Sequence, residues 1–147
     1  MSGEEGKELM HYFIDEWNKG DMEALHNVIE ETVDPDFVHH SAATFEDTRG
    51  QDGVKNVFGS FRAAFRDGRT TIEDIVAEGD MVVTRWTFCG THRAEFVGLA
   101  PTGQRVEVTG INIDRITNGR FVERWYEMDR LGLMGQLGAA PDRGQGE

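Results

Sequence analysis

The sequence predicts an α+β domain in which helices pack on one face of an antiparallel sheet. Three segments with apolar residues at helical spacing come first, and four long segments with the alternating pattern of strands follow them. The 147 residues contain no internal repeat, and this length suits one domain. We therefore expect a single domain over residues 1–138 and a flexible tail with Gly and Pro over residues 139–147.

The first predicted helix covers residues 5–19, where apolar residues recur every three or four positions on one face. Gly20 can end this helix in a left-handed conformation, and Asp21 can cap a second helix over residues 22–31. A third helix runs from about residue 51 to residue 68 with a similar stripe. Because each helix has only one apolar face, each is expected to pack against another layer.

A short strand and a loop are predicted between the second and third helices. Asp34 and Pro35 break the chain, and residues 36–40 then form a brief strand. Residues 41–50 have no convincing period, which predicts a loop.

The second half of the chain predicts a meander of strands over residues 69–78, 81–92, 105–116 and 120–128. Asn118 and Gly119 give a two-residue hairpin turn before the last strand. Bulky side chains lie on both faces of the long strands, so we expect one face to meet the helices and a pocket and the other to meet a second subunit. Residues 129–137 fit either a short helix or an irregular turn.

The charge and composition exclude several classes of function. The net charge is −12, from 27 acidic and 15 basic residues, and such a surface disfavours nucleic acid and anionic lipid as partners. No apolar run approaches the length of a membrane span, and no secretion signal is visible, so we expect a cytoplasmic protein that is not bound to a membrane. Cys89 is the only cysteine, which excludes an internal disulfide and a multi-cysteine metal site.

Short segments spread over nearly the whole chain carry a resemblance to a known family. They are residues 37–40 (FVHH), Gly50 with 53–54 (GV), 77–80 (AEGD), 90–103 (GTHRAEFVGLAPTG), 110–116 (GINIDRI), 119–125 (GRFVERW) and 129–138 (DRLGLMGQLG). In this order and spacing the chain resembles the SnoaL-like polyketide cyclases, also called the ester cyclase family, of the nuclear transport factor two-like superfamily. The resemblance implies a cone-shaped, strongly curved sheet on three N-terminal helices, the cystatin-like fold.

The resemblance also implies a chemistry. The cyclizing members hold a flat, carbonyl-rich small molecule in a hydrophobic pocket, and an aspartate near the end of the last strand is general acid and base in an aldol ring closure, without metal or cofactor. Asp129 lies at the matching position. We expect a small-molecule ligand, no cofactor, no metal, and a homodimer or homotetramer.

Asp129 has two interpretations from the residues alone. Burial under the aromatic strand end before it would raise the pKa of its carboxyl and suit it to proton transfer. As the cap of a helix over residues 130–133 it would instead accept backbone N–H bonds, which would lower that pKa.

Three histidines are candidates for the site. His92 ends the second long strand and, as a neutral imidazole, can donate to an oxyanion or relay a proton; alternatively it bonds to a loop carbonyl. His39 and His40 point to opposite faces of their strand, so at most one faces the pocket. His40 is the better match to the family's histidine and is our candidate ligand contact, the alternative being a partly buried structural residue. Neither a His-x-x-x-His helix nor a cysteine pair supports zinc binding.

The remaining candidates form the pocket wall. Asn112 lies on the opposite face of its strand from its two isoleucine neighbours, and its amide would bind either a substrate carbonyl or a neighbour such as Asp114. The predicted aromatic walls, each of which could equally be plain core, are Phe13, Trp17, Phe61, Phe65, Trp86 and Trp125.

Three functions fit these residues. The first is a cofactor-free enzyme that abstracts a proton alpha to a carbonyl, with Asp129 as base and His92 or Asn112 holding the oxygen. The second is a small-molecule binding protein without turnover. The third is a hydrolase or hydratase in which Asp129 activates water.

Overall fold

The computed structural model describes residues 3–40 and 47–138, and in them four helices lie against one six-stranded sheet. The helices are α1 (Gly3–Asn18), α2 (Met22–Thr32), α3 (Gly50–Ala64) and α4 (Arg130–Gln136). The strands are β1 (Val33–His40), β2 (Thr48–Arg49), β3 (Arg69–Glu78), β4 (Met81–Thr91), β5 (Arg105–Thr117) and β6 (Arg120–Met128). The predicted α+β class is confirmed, and residues 130–136 form a helix. The predicted tail lies outside the described residues.

The local signals between elements act as the sequence predicts. Gly20 has φ 75°, and the Asp21 side chain accepts a hydrogen bond of 2.9 Å from the backbone N–H of Glu23 at the start of α2. Asn118 and Gly119 both have positive φ, 52° and 73°, as a tight hairpin between β5 and β6 requires. None of the described helices is long and apolar enough to span a membrane.

The sheet has the order β2-β1-β6-β5-β4-β3 and is curved and open rather than closed into a barrel. The meander from β3 to β6 is antiparallel, as predicted, but β1 pairs in parallel with β6. The sheet is therefore mixed. The parallel pair brings the strand that carries His39 beside the strand that carries Arg124.

Two predicted boundaries near β1 were wrong. The strand begins at Val33, so Asp34 and Pro35 lie inside it, where the pairing with β6 shifts between Val33 and Val38. A proline is tolerated at such an irregularity because the missing N–H interrupts no regular ladder. The predicted loop over residues 41–50 also ends early: Thr48 and Arg49 pair with β1, and two residues are too few to show a period. Residues 41–46 lie outside the described part of the chain.

An irregularity in β6 decides which of its side chains face the helices. Arg115 pairs with Glu123 and Ile116 pairs with Phe121, which leaves Val122 as an extra residue in β6. Phe121 points inward, and beyond the bulge the inward positions become even-numbered, beginning with Arg124. Simple alternation from Phe121 would have placed Trp125 inward instead.

The core fills the space between the three N-terminal helices and the inner face of the sheet. It includes aromatic residues from every part of the chain, among them Phe13, Phe37, Phe65, Phe88, Phe96 and Phe121. The inner residues of β4 are buried at every second position from Val82 to Gly90, as predicted from their alternation.

Candidate active site

An apolar cavity lies between α1, α3 and the inner face of the sheet. Its apolar wall consists of Met10, Ile14, Trp17, Val57, Phe58, Phe61, Trp86, Phe88, Val108 and Met128. Its polar side chains are His39, Thr70, Thr84, Asn112, Arg124 and Tyr126. The cavity has a volume of about 60 Å³. This is several times the roughly 10–15 Å³ that one water molecule needs. An apolar pocket with a few convergent polar groups is typical of a small-molecule site.

Strand register brings the polar side chains together in two neighbouring rows. Thr84 on β4, Asn112 on β5 and Tyr126 on β6 lie directly opposite one another. In the next row, Arg124 lies between Asp114 and His39. Because residues two apart on a strand share a face, these rows form one polar region on the inner surface of the sheet.

Asp114 holds this region together. It is fully buried; its Oδ1 accepts a 2.5 Å bond from Arg124 Nε, and its Oδ2 accepts a 2.6 Å bond from the Asn112 amide. Burial raises the pKa of the Asp114 carboxyl, and the positive charge of Arg124 opposes that rise. Since both carboxylate oxygens accept hydrogen bonds, the geometry fits an ionised Asp114 paired with Arg124.

Asn112 links Asp114 to the aromatic wall of the cavity by hydrogen bonds. Its Oδ1 accepts a 2.8 Å hydrogen bond from the indole N–H of Trp86. Trp86 lies over Gly110, where a Cβ would overlap the indole ring. A glycine at 110 is therefore needed for the position of Trp86. The Asn112 amide nitrogen donates to Asp114, which is one of the two partners that the sequence left open for it.

Trp17 is held from two sides on the opposite wall. Its indole N–H donates to Thr70 Oγ1 at 3.0 Å, and the Arg62 guanidinium lies 4.2 Å from the centre of its ring. Arg62 is itself buried and donates to the backbone carbonyls of Trp17, Arg66 and Gly68. Trp17 is thus a preorganised wall residue, as the sequence predicts for an aromatic at this place.

His39 is the histidine that faces the cavity. Its side chain is 1% exposed, and among the described residues neither ring nitrogen has a hydrogen-bond partner. Burial, followed by the positive charge of Arg124 and then His40, lowers the pKa of His39 to about 3. The imidazole is therefore neutral at physiological pH, with one N–H donor and one acceptor that are both unpaired within the described residues. Burial likewise raises the pKa of Tyr126, so its hydroxyl stays protonated.

The structure places His40 and Trp125, two predicted ligand contacts, on the outer face of the sheet. The two rings stack at 5.5 Å, and His40 Nε2 lies 2.8 Å from Glu123. Trp125 is 36% exposed. Side chains alternate between the two faces along β1, so His40 faces outward next to the inward-facing His39. The bulge at Val122 places Trp125 on the outer face as well. Their ligand contacts stay a prediction that this placement does not support.

His92, a predicted catalytic residue, lies in the core rather than in the cavity wall. It is fully buried, its ring is 5.6 Å from that of Phe65, and its Nδ1 accepts a bond from the Thr102 backbone N–H. Of the other predicted wall residues, Trp17, Phe61, Trp86 and Asn112 line the cavity, whereas Phe13 and Phe65 pack behind it.

Asp129 is exposed and caps α4. Its Oδ1 accepts a 2.9 Å hydrogen bond from the backbone N–H of Gly132, where a Cβ would overlap the carboxylate. It directly follows Met128, a residue of the cavity wall, but does not itself line the cavity. The cap is thus the interaction present in the free protein, and a role in proton transfer stays a prediction.

Sequence reasoning selected His40, which lies on the outer face of the sheet, and did not select four residues that line the cavity: His39, Arg124, Tyr126 and Thr84. A signal for His39 was available, because it shares a strand face with Phe37, which is fully apolar and buried. No comparable signal existed for Arg124 and Tyr126, whose orientation depends on the bulge. Across residues 3–40 and 47–138, no three His, Cys, Asp or Glu side chains form a group that could hold a metal ion.

Comparison with known proteins agrees with this architecture. The chain is 32% identical to TsrD from Streptomyces laurentii, with a TM-score of 0.82 over 95% of this chain and 98% of that one. It is 30% identical to AclR from Streptomyces galilaeus, a candidate hydroxylase, with a TM-score of 0.81 over 96% and 89%. It is 33% identical to IdmH from Streptomyces antibioticus, a candidate polyketide cyclase, with a TM-score of 0.75 over 90% and 97%.

The search of curated proteins found no match. The family model of the SnoaL-like polyketide cyclases matches residues 7–137, which include every residue that lines the cavity. The chain belongs to the SnoaL-like polyketide cyclase family.

Proposed function

We propose that this protein is a cofactor-free acid/base enzyme that abstracts a proton alpha to a carbonyl in a hydrophobic, carbonyl-rich small molecule. The enolate then closes a ring by aldol addition or is reprotonated as an isomer. The observation that carries the proposal is the polar region of the cavity. There a neutral His39, with no hydrogen-bond partner among the described residues, lies beside an Arg124 fixed by Asp114. Such a region is suited to a carbonyl oxygen whose negative charge grows during the reaction.

The ligand is expected to bind with its carbonyl oxygen at Arg124 and His39 and its rings against Trp17 and Trp86. The charges of Asp114 and Arg124 balance, so a neutral carbonyl can enter without leaving an unpaired buried charge. The aromatic walls are already held by hydrogen bonds, which limits the ordering that binding requires.

His39 serves this reaction as a donor rather than as a base. With a pKa of about 3, its neutral ring is a weak proton acceptor at pH 7. The same neutral ring keeps one N–H, which can donate a hydrogen bond to an enolate oxygen without any change in the protonation of the ring. Arg124 adds positive charge at the same place, in a site where little water screens it.

Asp129 remains the proposed base, reached by release of its cap. An N-cap bond is worth roughly 1 kcal/mol, so about one molecule in six has the carboxylate free at any moment. Asp129 follows the wall residue Met128, so the proposal requires the released carboxylate to turn toward the cavity and reach the carbon next to the bound carbonyl. The substrate needs to recruit only this minor population.

The capped state of Asp129 favours one alternative, a binding protein that uses the same cavity without turnover. A carboxylate that only caps α4 would give the cavity no base. The two functions differ in whether Asp129 is needed for proton exchange.

Deuterium exchange at the carbon alpha to a simple aromatic ketone separates them. We expect the protein to accelerate loss of the alpha-proton NMR signal of 1-tetralone in D₂O. Asp129→Asn and Asp129→Ser keep a good N-cap while removing the base, so both should lose the acceleration without losing thermal stability. Unchanged exchange in both variants would refute Asp129 as the base, and binding of the ketone without any exchange would favour the binding protein.

The outer face of the sheet supports a homo-oligomer, which we propose is a homodimer or homotetramer. Ile111, Ile113 and Trp125 are each more than a third exposed on this face. Covering these apolar residues with a second copy would remove them from water. Sedimentation at micromolar concentration tests this, and a monomer would contradict it.

A further inference from the structure

Thr84 is a buried hydroxyl that the proposed reaction does not use. It lies in the middle of β4, is 1% exposed and lines the cavity. Within the described part of the chain its Oγ1 has no hydrogen-bond partner. An unpaired buried hydroxyl is unfavourable, so it calls for a partner that residues 3–40 and 47–138 do not supply.

The cross-strand neighbours of Thr84 explain why the neighbouring strands supply no partner. Across the sheet it faces Ile75 on one side, which is apolar, and Asn112 on the other. The Asn112 oxygen already accepts from Trp86, and its amide nitrogen donates to Asp114. The polar network therefore closes without Thr84 and leaves its hydroxyl unpaired at the cavity wall.

Packing alone does not account for a threonine at this position. Valine has nearly the same shape, suits a strand equally well and would leave no polar group unpaired. A ligand oxygen that reaches the hydroxyl would pair it, and a ligand without this oxygen would leave it unpaired.

We infer that Thr84 determines specificity by binding a second oxygen of the ligand, at the opposite side of the cavity from His39. The inference rests on the proposed function of the cavity. His39 lies on β1 and Thr84 on β4, with β6 and β5 between them. Three strand spacings correspond to about 14 Å along the sheet, which its curvature shortens. The substrate class is therefore an extended or fused-ring compound that carries a hydroxyl or carbonyl oxygen at each end.

Two anthraquinones provide the test, because they differ in one terminal oxygen. The probes are 2,6-dihydroxyanthraquinone, with a hydroxyl at each end of its long axis, and 2-hydroxyanthraquinone, with one. Binding is measured by quenching of tryptophan fluorescence, since Trp17 and Trp86 line the cavity. The variants are Thr84→Val, which removes only the hydroxyl, and Thr84→Ser, which keeps it; melting temperatures confirm that both are folded.

We expect the wild-type protein to bind the dihydroxy probe more tightly than the monohydroxy probe. Thr84→Val should weaken the dihydroxy probe about five- to tenfold, as the loss of one hydrogen bond predicts, and leave the monohydroxy probe unchanged. Thr84→Ser should restore the preference. The role of Thr84 would be overturned if Thr84→Val bound the dihydroxy probe as tightly as the wild type, or if it lost equal affinity for both probes. Either result would leave the proposed function of the cavity standing. If neither probe binds the wild-type protein, the proposed function of the cavity fails, and this inference with it.

Discussion

The position of Trp86 depends on the missing side chain of Gly110, and Gly110→Ala tests this dependence. A Cβ at 110 would overlap the indole ring, so the ring must leave the sheet surface and move into the cavity. The movement breaks the 2.8 Å bond from Trp86 to Asn112. Overpacking costs about 1–3 kcal/mol and the lost hydrogen bond about 1 kcal/mol, so we expect a destabilisation of roughly 2–4 kcal/mol.

The assay is urea or thermal unfolding followed by circular dichroism. For a chain of this size, that loss corresponds to a fall in melting temperature of roughly 5–15 °C. Gly59→Ala is the matched control, because Gly59 lies in α3, where a Cβ would make only an ordinary 3.8 Å contact with the Met22 side chain and alanine favours the helix. Gly110→Ala should also abolish probe binding. If Gly110→Ala kept the stability and probe binding of the wild type, the dependence of the Trp86 position on Gly110 would be refuted.

Three further substitutions, one of them a control, test the polar region. Asp114→Asn keeps the shape of the side chain but leaves Arg124 buried without its counter-charge, so we expect a loss of about 3–5 kcal/mol in urea unfolding. Glu123→Gln, which breaks a half-exposed pair with His40, should cost about 1 kcal/mol or less, and equal costs would contradict the assignment. His39→Phe should reduce the pH dependence of stability. The unfolded state binds a proton at His39 near pH 6.5 and the folded state only near pH 3, so stability is lost as the pH falls through this range. Between pH 7 and pH 5 the wild-type protein should lose about 2 kcal/mol more than His39→Phe; parallel pH profiles would show that His39 is not buried and neutral.

Much of the fold follows from local patterns in the sequence. The helical stripes, the cap at Asp21 and the turn at Asn118 and Gly119 all depend on neighbours within a few residues. The parallel pairing of β1 with β6 does not, because it joins residues more than 80 positions apart. Periodicity therefore predicted the three long helices and the four long strands, but not β2 or the fact that the sheet is mixed.

The candidate site was harder to predict because it depends on strand parity. A one-residue bulge at Val122 reverses the faces of β6, which exchanges Trp125 for Arg124 and Tyr126 in the cavity. The same kind of parity separates His39 from His40, and there the buried Phe37 gave enough information to choose. For Asp129 the sequence left two roles open, and the free protein shows the cap.

The most direct test of the central claim is a crystal structure of the protein with a bound aromatic ketone such as 9-fluorenone. The account predicts that the ketone oxygen lies within hydrogen-bond distance of His39 or Arg124, with the rings between Trp17 and Trp86. A ketone oxygen directed away from this polar region, with His39 still unpartnered, would contradict it.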